Sequence, residues 1–196
     1  MKKQLLLATA LIAALAMAAP AAATPIIDFH GQLGEVTITT GGISGSTEIT
    51  SVLIQGTPNY VNNAFEVVGG VLTFNSAGAV PNFIITGSVP DLGIGLTAPV
   101  QLLTGSIVGW DLQAPSILHI YGPDVKYAGL MEAAGLPLDT QWAYFGSDLY
   151  GNPIAEGSST FYATSVDIRN TQVPDAGSSL LLLGMGLVGL RMWRKR

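Results

Sequence analysis

No cysteine occurs in the 196 residues of this chain. That excludes disulfide bridges, thiolate zinc sites, iron–sulfur ligation and cysteine nucleophiles. It does not exclude export, because a body of about 150 residues is stable without bridges. Basic charge is almost as scarce. Of the eight lysines and arginines, Lys2 and Lys3 open the chain, and Arg191, Arg194, Lys195 and Arg196 close it. Between them stand Lys126 and Arg169, against twelve acids from Asp28 to Asp167, a net of −10. Such a surface repels a phosphate backbone, so nucleic acid is not an expected partner. A weakly held divalent cation or a cationic surface suits it better.

Catalytic signatures are missing too. No H-E-x-x-H, no phosphate-binding G-x-x-x-x-G-K-[ST] and no dinucleotide-binding loop occurs. Gly42-Ile43-Ser44-Gly45-Ser46 imitates a nucleophile elbow but has Ser46 where the second glycine belongs, and it sits in a β-type turn. The two histidines, His30 and His119, are far apart. His119 alternates with Leu118 and Ile120, as an outward strand residue does, while Asp28 is close enough in sequence to His30 to orient its imidazole. Nothing in their spacing makes a metal site. Asp91, Asp111, Asp124, Asp139 and Asp148 are scattered singly, without the D-x-D-x-D-G run of a calcium loop. A glycosidase carboxylate pair is open to any acidic β-protein, but sequence does not show two acids facing each other. No metal, cofactor or catalytic residue is expected.

What is present is glycine, proline and short apolar alternation. The 24 glycines and 11 prolines argue against a helical bundle. Glu35–Thr39 alternates with period two before Gly41-Gly42, and Glu48–Gln55 is a second run. Phe65–Phe74 reads as a hairpin about Gly69-Gly70, since a Gly-Gly loop permits a type I′ turn. Phe83–Thr86, Val100–Thr104, Ile107–Leu112 and Ser116–Tyr121 follow. Phe161–Asn170 is the last run, with Val166 and Ile168 on one face and Asp167 and Arg169 on the other. One helix is expected over Pro123–Gly135, with Asp124 as N-cap, Gly135 as stop, and Val125, Ala128 and Met131 on one face. The expected class is all-β: one antiparallel β-sandwich, of jelly-roll type in one version, with a single barrel as the alternative. Trp142 and Tyr144 share one side of a strand, with Tyr150 nearby, and form a candidate platform for a sugar ring. Core packing is the competing use of the same residues.

The two ends read as addresses. Lys2 and Lys3 precede an apolar run from Leu5 to Ala19, then Pro20 and Ala21-Ala22-Ala23. This is the three-part secretory signal, with Ala21 and Ala23 filling a signal peptidase's small-residue site and the mature chain starting at Thr24. At the other end, Ala176 to Leu190 runs without charge. As a helix it spans about 22 Å against a hydrocarbon thickness of about 30 Å. Arg191, Arg194, Lys195 and Arg196 then set the orientation, with the C-terminus inside and the body outside, and their side chains extend the span by snorkelling.

Val173-Pro174-Asp175-Ala176-Gly177-Ser178, an apolar stretch and a basic end together resemble the PEP-CTERM type of sorting signal. The nearest form is its Val-Pro-Asp-Ser-Gly variant. Ala176 departs from both that variant and the commoner Val-Pro-Glu-Pro form. The resemblance covers roughly the last 24 residues and implies several things. An exosortase-type membrane transpeptidase would recognise Val173, Pro174, Asp175, Ala176 and Gly177. The chain would be exported by a bacterium with an outer membrane, held for a time in the inner membrane, and associated with exopolysaccharide or biofilm. Pro174 favours extended backbone at Val173, a shape an enzyme can grip.

The chain therefore divides into a leader (1–23), a β domain (24–172) and a sorting tail (173–196). The leading expectation is a non-enzymatic surface or matrix protein. A carbohydrate-binding module of the envelope is the alternative, and a secreted hydrolase with a carboxylate pair comes third.

Overall fold

Period-two alternation dominates from residue 26 onward, and the chain takes it up as strands. The computed structural model describes residues 25–113, 116–140, 142–152 and 160–172. The leader, the sorting tail and the side chains of residues 143, 144, 171 and 172 lie outside the described residues. The strands are β1 (Ile26–Thr39), β2 (Gly42–Gln55), β3 (Asn62–Asn75), β4 (Phe83–Ser88), β5 (Val100–Gly105), β6 (Gly109–Gln113), β7 (Ile117–Gly122), β8 (Asp124–Lys126), β9 (Trp142–Gly151) and β10 (Thr160–Gln172). One helix, α1 (Ala128–Ala134), follows β8, and a 3-10 turn spans Pro90–Leu92.

The class is all-β and antiparallel, as expected, but the strands form one sheet where two were expected. Its order is β6-β7-β9-β10-β1-β2-β3-β4-β5-β8. The sheet curls until its inner faces meet: Phe83 of β4 stacks on Phe145 of β9 with ring centroids 4.1 Å apart. Phe29, Ile54, Leu72, Ile85, Leu103 and Phe161 fill the same interior.

Bulges let 14-residue strands curl this way. On β2 the buried residues are Ile43, Thr47 and Ile49, then Val52 and Ile54. The parity changes at Thr50, where the register against β3 shifts between Ile49 and Ser51. On β3 it changes from Val67 to Leu72 and Phe74, where the register against β4 shifts between Val68 and Val71. Without an extra residue at each place, half of each strand would turn its apolar side to water.

This corrects the reading of Gly69-Gly70. The pair does not close a hairpin; β3 runs through it. Gly69 takes a left-handed φ of +60°, as the first residue of a glycine bulge does. Gly70 brings β3 so close to β2 that a Cβ there would sit 2.1 Å from the Ile49 carbonyl oxygen.

The helix is also shorter than expected. Asp124 is not its N-cap: Asp124–Lys126 is a strand, Tyr127 precedes the helix, and no side chain caps it. Gly135 does end it, at φ +73°. The buried face is Leu130, Met131 and Ala134, while Val125 is exposed. Among the described residues no helix is long and apolar enough to cross a membrane.

Candidate functional site

Strand β8 inverts the usual order of a sheet. It lies at the sheet's edge, and its apolar residue, Val125, is 67% exposed. Its two charged residues point inward, with the side chains of Asp124 and Lys126 both fully buried. Burying charge costs several kcal/mol per ion unless it is paired and hydrogen-bonded. Here the two charges pair with each other on β8, and a further hydrogen bond comes from across the curled sheet.

Lys126 Nζ donates to Asp124 Oδ2 and, at 2.5 Å, to Asn170 Oδ1 of β10. It also lies over the Trp142 ring of β9, 4.7 Å from the centroid. Asn170 is completely buried, and its backbone N–H donates to Asp28 Oδ1 of β1 at 3.0 Å. Two polar atoms of the cluster, Asp124 Oδ1 and Asn170 Nδ2, are buried without a hydrogen-bond partner among the described residues.

The electrostatics follow from burial. Loss of water pushes the Lys126 ammonium down to about 8, against the pull of Asp124 beside it. Burial raises the Asp124 carboxyl, with Lys126 opposing. Asp28 is raised as well, again mainly by burial, with the Asn170 N–H working the other way. The shifts at Lys126 and Asp124 favour the same species, a neutral amine beside a carboxylic acid.

An open pocket of about 560 Å³ lies against this cluster, lined by Thr104, Ser106, Asp124, Lys126, Met131 and Trp142 among others. Among the described residues that line it Asp124 is the one carboxylate, whereas hydrolysis by two carboxylates needs a facing pair.

The residues singled out from sequence fall elsewhere. Trp142 is 8% exposed and its ring face is covered by Lys126, so it presents no open platform to a sugar; the side chain of Tyr144 lies outside the described residues. Tyr150 is exposed. The histidines do not converge. His119 Nδ1 pairs across strands with Asp148 Oδ1 at 2.5 Å, and His30 Nδ1 lies 3.5 Å from Asp167 Oδ1. Asp167 also holds Arg169, at 2.9 Å. Among the described residues no group of three or more His, Cys, Asp or Glu is placed to hold a metal. Ala21, Ala23, Val173, Pro174, Asp175, Ala176, Gly177, Arg191, Arg194, Lys195 and Arg196 lie outside the described residues.

Sequence reading missed the cluster of Asp28, Asp124, Lys126 and Asn170. It placed Asp124 at a helix cap and ended the last strand at Asn170, whereas β10 runs on to Gln172 with Asn170 in the core. The available signal was Asp-Val-Lys alternation around the body's single lysine.

The architecture defines a β body whose last strand leads directly into the C-terminal segment. That segment has a match of its own: the family model described as the VPDSG-CTERM motif matches residues 172–196. No curated protein and no solved structure matches the chain. The chain thus carries a PEP-CTERM-like sorting tail, the mark of an exported, C-terminally sorted surface protein with a processing partner of the exosortase type.

Proposed function

We propose that this chain is a non-enzymatic bacterial surface or extracellular-matrix protein, working among exopolysaccharide or biofilm material. The leader (1–23) is removed after Ala23 by signal peptidase. The 176–190 stretch holds the protein in the inner membrane with the basic end inside. An exosortase-type transpeptidase then acts at Val173 to Gly177 and hands the β body (24–172) to the envelope or the medium. The observation that carries this reading is the motif match at 172–196, which begins where β10 ends.

A comparison of the full chain with one stopped after Gln172, both expressed in the native host, tests it. The full chain is expected to pass through a membrane-bound form before reaching the surface. The stopped chain is expected to skip that form and lose its surface retention. Identical fractionation of the two would contradict the proposal.

A carbohydrate-binding role remains the second reading. Of Trp142 and Tyr150, only Tyr150 is exposed for it. Tyr150→Ala is then expected to weaken retention on a host exopolysaccharide gel, and unchanged retention removes that residue from the reading.

A further inference from the structure

The contact between Lys126 and Asn170 holds an amine against a primary carboxamide. Lys126 Nζ is 2.5 Å from Asn170 Oδ1, so the carboxamide carbon lies one bond beyond the atom it touches. Both side chains are fully buried. Trp142 covers one side of Nζ. Asp124 touches Nζ and has its second oxygen free, and Asn170 Nδ2 is also without a partner. These are a nucleophile, an electrophile, a proton carrier and a leaving group, held together by the fold.

We propose that Lys126 and Asn170 react with each other to form an intramolecular isopeptide bond, with release of ammonia. Nζ of neutral Lys126 attacks Cγ of Asn170 and forms the new C–N bond. Asp124, protonated, gives its proton to Nδ2. The Cγ–Nδ2 bond breaks and ammonia leaves. Asp124 then recovers one proton from Nζ, which keeps the other as the amide N–H. Atoms and charge balance without an oxidant, a cofactor or a second protein.

The environment favours each step. Burial lowers the Lys126 ammonium to about 8 and raises the Asp124 carboxyl, so both shifts favour the neutral pair from which the step starts. The fold supplies the proximity, which in well-oriented intramolecular reactions is worth effective molarities of about 10⁵ M or more. Asp28 is a positioning residue, since its carboxylate holds the Asn170 backbone N–H. The groups facing Nζ are Asp124 on its own strand, Asp28 of β1, Asn170 of β10 and Trp142 of β9. The product joins the edge strand β8 to β10, two strands that are far apart in the sheet order. It would lock the curl of the sheet in a chain that has no cysteine to do so.

Trypsin reads the bond directly. Between leader and tail the chain has two cleavage sites, Lys126 and Arg169. The full chain, purified in folded form as judged by a cooperative melt, is denatured and digested. An unlinked chain frees the 127–169 peptide whatever has happened at either terminus. A linked chain resists cleavage at Lys126, frees no such peptide, and yields one species in which the segment ending at Arg169 is joined to the peptide starting at Asn170. That species is lighter than the sum of its parts by one ammonia, about 17 Da. The linked species is the expected result.

Lys126→Arg keeps the cleavage site but cannot form the amide, and Asn170→Ala removes the carboxamide; each is expected to free 127–169 in full. A folded wild-type chain that frees 127–169 overturns the proposal. So does a loss of water instead of ammonia, which would put the bond at Asp124. So does an ammonia loss confined to the Asn170 peptide, which would mean ring closure on its own backbone.

Discussion

Phe83 of β4 lies nearly flat on Phe145 of β9, with ring planes 25° apart, although the two strands are well separated in the sheet order. The pair meets only because the sheet closes on itself, so it reports the curl rather than any single hairpin. Phe74 also stacks on Phe83, with ring centroids 6.3 Å apart. Both Phe83 and Phe145 are fully buried. Phe145→Ala is expected to cost about 3–5 kcal/mol, the range for a large core aromatic. Urea denaturation followed by tryptophan fluorescence measures it, and a cost below about 1 kcal/mol would mean that the inner faces do not meet there.

Gly69 and Gly70 are neighbours with opposite demands. Gly69 needs a left-handed φ but has open space for a Cβ; Gly70 has ordinary backbone angles but no space at all. Gly69→Ala is expected to cost about 1–2 kcal/mol, the penalty for a left-handed alanine. Gly70→Ala drives a methyl into the β2 backbone at Ile49, and its cost is expected to be the larger, with β2–β3 pairing disturbed. Thermal melts of the two variants give the order. A Gly70→Ala protein as stable as wild type would rule out the bulge described.

Asp28 links pH to stability. Burial raises its carboxyl in the folded chain, so the folded state binds its proton more tightly than the unfolded state does. The stability tied to that proton is fully present below the ordinary carboxylate value of 3.8 and is lost as pH rises through the folded value. Asp28→Asn removes this titration and keeps an oxygen for the Asn170 N–H. The variant is expected to match or exceed wild-type stability at pH 7 and to lose that advantage as pH falls towards 4. Melting temperatures of both proteins across that range decide it; a gap that does not change with pH contradicts the assignment.

Tail substitutions separate recognition from anchoring. Replacing Val173, Pro174 and Asp175 by alanine leaves the apolar stretch and the basic end in place, so the chain is expected to reach the membrane and accumulate there unprocessed. Neutralising Arg191, Arg194, Lys195 and Arg196 removes the charges to which we assign the orientation of the segment, so under that proposal the body is expected to lose its uniform outside placement. Protease accessibility of the body in spheroplasts distinguishes the two defects.

The strands were legible because their apolar residues recur at every second position and glycines mark the turn between β1 and β2. The tail was legible because motif, apolar stretch and basic end stand in fixed order at the terminus. The bulges were not. A Gly-Gly pair between two alternating runs permits a tight turn or a bulge, and the choice depends on what the neighbouring strands leave room for. The buried lysine was hidden for a related reason. Pro123-Asp124-Val125-Lys126 has the composition of a helix start, and only the closure of the sheet brings Asp28, Trp142 and Asn170 around it. Polar residues facing inward break the very alternation by which strands are read. Trp142 was ambiguous from the start, and its place under Lys126 settles it as core.

Processing at the sorting tail is tested most directly by the intact mass of the protein from its native host, taken separately from membrane and medium. The expected result is a mature form that begins at Thr24 and ends between Val173 and Gly177, with or without an added group, in the envelope or medium. A single species running to Arg196 and confined to the membrane would contradict it.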